Sequence, residues 1–134
     1  MEKAKKILMI DDDPDFTGGV QALLKAANYD VAIASDPKEG KEKVFSEKPD
    51  LILLDIMMDS IFDGFSLCND IKTSAEYKNL NSPPIIFVSA VKEKAGSRFQ
   101  FNGDEYGLKG PDDYLDKPVK PQELIACIEK HLNK

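Results

Sequence analysis

Three carboxylates, a hydroxyl and a lysine share one kind of position in this chain: each stands at the end of a short apolar run. Asp11 and Asp12 follow "KILMI" (6–10), Asp55 closes "DLILLD" (50–55), Ser89 ends the apolar part of "PIIFVSA" (84–90), and Lys117 follows "DDYLD" (112–116). Acids brought together repel one another and raise each other's pKa unless something positive compensates. Carboxylates with oxygen-only neighbours, lacking histidine and thiolate, suit a hard cation, Mg²⁺ or Mn²⁺. Lys117 offers a point charge to a phosphoryl oxygen, and the Ser89 hydroxyl offers a hydrogen bond. These are the parts of phosphoryl transfer, which asks mainly for position and charge. A carboxylate would be the acceptor, forming an aspartyl-phosphate. The chain holds no glycine-rich nucleotide loop, so the phosphoryl group has to come from another donor.

The elements that position these residues are legible in the hydrophobic pattern. Four of the runs, with "VAIA" (31–34) among them, are apolar at consecutive positions, as in strands buried on both faces of a parallel sheet. Between the runs lie segments with helical spacing. Residues 14–27 put Phe16, Val20, Leu23, Leu24 and Ala27 on one stripe, and Asp36 before Pro37 reads as a helix start for 37–46. Segment 64–79 spaces Phe65, Cys68 and Ile71 by threes, and the last helix carries Leu124, Ile125, Ile128 and Leu132. Repeated β-α units predict an α/β fold: a doubly wound five-stranded parallel sheet with helices on both faces. Such sheets bind ligands outside the carboxyl ends of their strands, which is where the chemically capable residues fall. Asp13 and Asp15 flank Pro14 and read as helix-start residues rather than ligands.

At 134 residues the chain is the size of one ordinary domain. Its 42% hydrophobic and 31% charged composition is that of a soluble globular protein. No apolar run approaches the ~20 residues of a membrane span, and "MEKAKK" leads into too short an apolar stretch for a signal peptide. The expected location is the cytoplasm. A net charge of −6 argues against a broad nucleic-acid surface. Cys68 and Cys127 read as two buried thiols of a reducing compartment, and His131 as a cation at a helix C-terminus.

The chain resembles the receiver domain of two-component response regulators over essentially its whole length. "ILMIDDDP", "PDLILLDIMM…DGF", "PPIIFVSA" and "DDYLDKP" carry the resemblance, in order and at strand ends. It implies a flavodoxin-like (βα)5 domain with strand order 2-1-3-4-5 and a single receiver spanning residues 1–134, with no output domain in this chain. It implies Asp55 as phosphoacceptor, and Asp11, Asp12, Asp55 and the backbone carbonyl of Met57 as ligands of Mg²⁺. Asp12 is then the direct ligand of the acidic pair, with Asp11 acting partly through water. Ser89 and Tyr114 match the family's switch hydroxyl and switch aromatic. Lys117 matches the phosphate-contacting lysine, its bond to Pro118 cis. The donor would be a histidine kinase or phosphotransfer protein, and the output a change in binding to a downstream protein, a phosphorylation-dependent dimer included. The family acts as a signalling module rather than as a turnover enzyme.

Two regions depart from the family pattern. After Asp55 the chain reads "IMMDSIFDG", with Asp59 where the family commonly has proline. Between Ser89 and Lys117 the segment is longer than usual and broken by Gly96, Gly103, Gly107, Gly110 and Pro111. It predicts a short helix over 92–101 followed by an irregular loop, with Phe99, Phe101 and Tyr106 divided between core and surface. Met57 and Val91 occupy the positions that flank the attacking water in the family. Neither orients or deprotonates water, so slow self-dephosphorylation is expected. Two other functions fit the same residues less well. A Mg²⁺-dependent phosphohydrolase with an aspartyl nucleophile would want Asp11 and Asp13 to be followed by a threonine and a cap domain. A non-phosphorylated interaction domain would leave the site residues without a role.

Overall fold

In a computed structural model, residues 4–55, 61–73, 83–89, 112–117 and 119–132 are described, the backbone alone for 61–66 and 89. Strands β1 (Lys6–Ile10), β2 (Asp30–Ala34), β3 (Leu51–Asp55), β4 (Ile85–Ser89) and β5 (Asp113–Asp116) form one parallel sheet in the order β2-β1-β3-β4-β5. Helices α1 (Pro14–Ala26), α2 (Pro37–Glu47), α3 (Ile61–Thr73) and a C-terminal helix (Pro121–Leu132) cover it. The fold is the doubly wound one that the alternating pattern predicts, with the flavodoxin-like strand order that the family resemblance implies.

Consecutive apolar residues in the strands serve two cores. Leu8, Ile10, Ile52, Leu54, Ile85 and Phe87 face Val44 of α2 and Leu67, Cys68 and Ile71 of α3. Their neighbours Ile7, Met9, Leu51, Leu53, Ile86 and Val88 face Val20 and Leu24 of α1 and Leu124, Cys127 and Ile128 of the C-terminal helix. Each fully buried aliphatic side chain contributes roughly 1.5–3 kcal/mol. A one-residue slip in any strand would exchange the two faces, so the register is strongly held.

The helix starts follow the sequence closely. Asp13 caps α1, accepting from the N–H groups of Asp15 at 3.1 Å and Phe16 at 3.3 Å. Asp36 caps α2 through the N–H of Glu39 at 2.7 Å, with Pro37 in the first turn. One strip of α2 lies very close to β1: a Cβ built on Gly40 would sit 2.8 Å from Ile10 Cδ1.

Some expectations shift. On α1 Val20 and Leu24 are buried, with Phe16 and Leu23 partly buried against the same core as expected; Thr17 is buried beside them, while Ala27, one step past the last turn, is exposed. Thr17 is accommodated because its hydroxyl donates to the Pro14 carbonyl at 3.3 Å. Helix α3 begins at Ile61, three residues before the expected start at 64; residues 74–79 of that expected helix lie outside the described residues. His131 is buried, with Nε2 2.9 Å from Asp113 Oδ2 of β5, so it faces a carboxylate side chain rather than only the helix end. Both cysteines are free and buried, and burial pushes the Cys68 thiol up to about 12.

Candidate functional site

The sheet's register assembles the cleft. Ile10 of β1 pairs with Leu54 of β3, which brings Asp11 and Asp55 abreast as the next residues along. The N–H of Asp11 donates to the Ala34 carbonyl at 2.9 Å and so extends the ladder with β2 by one rung. Asp55 pairs with Val88, and Ser89 pairs with Asp116, the residue before Lys117. The backbone therefore sets Ser89 and Lys117 at the same carboxyl edge as the acids.

Asp11, Asp12 and Asp55 each offer a carboxylate oxygen, and these atoms all lie within 4.8 Å of one another. Asp11 and Asp55 are each only 4% exposed, whereas Asp12 opens to solvent. Lys117 reaches in from the end of β5, its Nζ 3.0 Å from Asp11 Oδ2 and 3.8 Å from Asp55 Oδ2. Among the described residues, three carboxylates here face the Lys117 ammonium.

Asp11 divides its two oxygens between unlike tasks. Oδ1 accepts from the N–H of Asp13 at 2.9 Å, fixing the turn into α1. Oδ2 is buried and is paired in charge with Lys117, yet no hydrogen bond of acceptable geometry reaches it among the described residues. A buried carboxylate oxygen in that state calls for a further positive group. Together with the all-oxygen donor set, this fits a hard divalent cation and disfavours soft-metal chemistry.

Phe16 belongs to the site although the sequence reading placed it only on the α1 stripe. Its ring lies under Lys117, with the ammonium 4.3 Å from the ring centroid. No signal in the spacing of Phe16 distinguishes that role, because a core-facing aromatic in the first turn of a helix reads the same way. Tyr114 is 42% exposed, its ring set edge-on to buried Phe87 with centroids 5.7 Å apart. Met57, Asp59, Val91, Pro118 and the glycine-rich segment 92–111 lie outside the described residues, and the peptide bond from Lys117 to Pro118 with them.

A doubly wound parallel sheet with an acidic, lysine-faced cleft at its carboxyl edge defines the class of flavodoxin-like domains built around a charged ligand site. More narrowly, the chain belongs to the response regulator receiver domain family, whose sequence profile matches residues 7–129. It is 34% identical over 97% of its length to the alkaline phosphatase synthesis transcriptional regulatory protein PhoP of Bacillus subtilis, of which it covers 49%. The chain spans about half the length of the curated relatives it matches. Among solved structures, it is similar to a response regulator from Chloroflexus aurantiacus, with TM-score 0.76 and 28% identity, covering 98% of this chain and all of that one. It is also similar to the BeF3-activated N-terminal receiver domain of Klebsiella pneumoniae RstA, with TM-score 0.72 and 27% identity, covering 97% of this chain and all of that one. The protein is thus a receiver domain of two-component response regulators, a class of signalling modules.

Proposed function

We propose that Asp55 is the phosphoacceptor and that the cleft around it is the receiver's switch. The observation that carries this reading is the meeting of Asp11, Asp12 and Asp55 within 4.8 Å, faced by the Lys117 ammonium. A carboxylate oxygen of Asp55 attacks phosphorus, and the bond from phosphorus to the donor's imidazole nitrogen breaks. The donor is a histidine kinase or phosphotransfer protein. Asp11, Asp12, Asp55 and the Met57 carbonyl would hold Mg²⁺ or Mn²⁺, which supplies neutralising charge for the transferring group.

Lys117 gives the switch its physical content. Its ammonium is held between two carboxylates before transfer, and afterwards a phosphoryl group adds further negative charge beside it. The ammonium then exchanges part of its contact with Asp11 for a phosphoryl oxygen, and the Ser89 hydroxyl donates to another. A covalent group shifts a conformational equilibrium only through such differential contacts. Tyr114, three residues before Lys117 on β5, carries the change to the outer face that a downstream protein or a second receiver would read. The described residues contain no helix long and apolar enough to cross a membrane.

Mass spectrometry after treatment with acetyl phosphate and Mg²⁺ tests the assignment. One added phosphoryl group is expected on the wild-type chain and none on Asp55→Asn. An equal gain in both would move the acceptor elsewhere.

A further inference from the structure

A second constellation of metal-binding side chains lies away from the acidic cleft, where β5 meets the C-terminal helix. Asp113 Oδ2 stands 2.9 Å from His131 Nε2 and 3.4 Å from Cys127 Sγ, and the three atoms lie within 4.8 Å of one another. Cys127 and His131 are four apart on one helix and each only 9% exposed, so both point from the same face toward the strand. Asp113 remains 30% exposed, which leaves one side of the cluster open to solvent.

We propose that Asp113, Cys127 and His131 form a site for a borderline-soft divalent cation, Zn²⁺ foremost, with water in the fourth position. One thiolate, one imidazole and one carboxylate are a donor set that zinc accepts and that magnesium and calcium do not favour. Bond lengths of about 2.3 Å to sulfur and about 2.0–2.1 Å to nitrogen and oxygen put tetrahedral ligand atoms roughly 3.3–3.6 Å apart. The observed 2.9 Å and 3.4 Å separations bracket the lower part of that range, so a few tenths of an ångström of side-chain movement opens the site. On binding, the Cys127 thiol proton leaves to solvent, and a neutral His131 carries its proton on Nδ1 so that Nε2 can coordinate. The Lys130 ammonium, 3.7 Å from Asp113 Oδ2, opposes the incoming cation and limits affinity. The ion would tie the last strand to the last helix at the residue immediately before Tyr114, and would set how far that strand end can move.

Titration with Co²⁺ in saturating Mg²⁺ separates this site from the acidic cleft. One equivalent is expected to give the strong visible bands of tetrahedral Co²⁺ and a near-ultraviolet thiolate-to-cobalt band, both bleached by one equivalent of Zn²⁺. Cys127→Ser should lose the thiolate band, and His131→Gln should weaken binding by at least the order of 10–100-fold. Asp12→Asn should leave both bands intact, and Lys130→Gln should tighten binding. Circular dichroism checks that each variant is folded; were Cys127→Ser to fail to fold, the wild-type thiolate band and the Lys130→Gln shift would decide. A weak octahedral spectrum in the wild type, or a thiolate band that survives in folded Cys127→Ser, would overturn the assignment.

Discussion

Replacing Lys117 with methionine removes the ammonium while keeping most of the stem that lies over Phe16. The ammonium stands 3.0 Å from Asp11 and 3.8 Å from Asp55. At an effective dielectric near 20 those separations correspond to about 5 and about 4 kcal/mol of attraction, before the cost of drying the three groups. That cost takes back most of the gain, and the Lys117 side chain keeps some solvent contact at 17% exposure. We expect a net loss of ~1–3 kcal/mol in metal-free protein, because buried Asp11 and Asp55 both lose the attraction of the Lys117 ammonium. A divalent cation bound to the same oxygens replaces the missing charge, so saturating Mg²⁺ should restore most of that loss. By linkage, Mg²⁺ affinity must rise by the same coupling, roughly 5–30-fold for ~1–2 kcal/mol. Urea unfolding followed by circular dichroism, in EDTA and in saturating Mg²⁺, measures both quantities. If the variant were destabilised equally in the two conditions, Lys117 would act by packing on Phe16 and the charge argument would fail.

Three further outcomes follow from particular residues. Gly19 has open space where a Cβ would go and Gly40 does not; Gly19→Ala should gain ~0.5–1 kcal/mol of helix stability, while overpacking against Ile10 should put Gly40→Ala ~1–3 kcal/mol below it in urea unfolding. Acyl-phosphate decay should be slow in the wild type and faster in Met57→Asn with Val91→Glu, and equal decay would remove the argument from those two positions. Hydrogen bonding from the Ser35 N–H, then from Lys43, holds the Glu39 carboxyl below its usual range. A depressed folded pKa gives stability that is complete above the ordinary glutamate value and lost as pH falls through the lower one. Glu39→Gln should therefore differ most from wild type at neutral pH and least once the pH has fallen through the lowered Glu39 value.

How far the sequence alone reaches varies with the kind of residue. Strands were legible to within a residue, most plainly where burial on both faces forces an unbroken apolar run, as in Leu51 to Leu54; the edge strands β2 and β5, "VAIA" included, are only partly buried. Helix starts were legible where an acid precedes proline, at Asp13 and Asp36, since that pairing serves the first turn and little else. The meeting of Asp11, Asp12 and Asp55 follows from the strand ends once the sheet is parallel. Contacts made across the fold by side chains with an ordinary local reading were not legible. Phe16 reads as core until Lys117 is placed over its ring, and His131 reads as a helix-end cation until β5 brings Asp113 beside it. Pairings between distant segments leave no periodic trace in either segment.

The turn after β1 does more than carry acids. Asp11 holds the N–H of Asp13, Asp13 holds the N–H of Phe16, the Phe16 ring lies under Lys117, and Lys117 returns to Asp11. These four contacts close a circuit from the first strand, through the start of the first helix, to the end of the last strand. In a circuit no single joint can move alone. A change of charge at Asp55 that draws Lys117 away would loosen the Phe16 ring and the cap on α1 in the same step. Two ends of the chain more than a hundred residues apart in sequence are thereby geared together at one point.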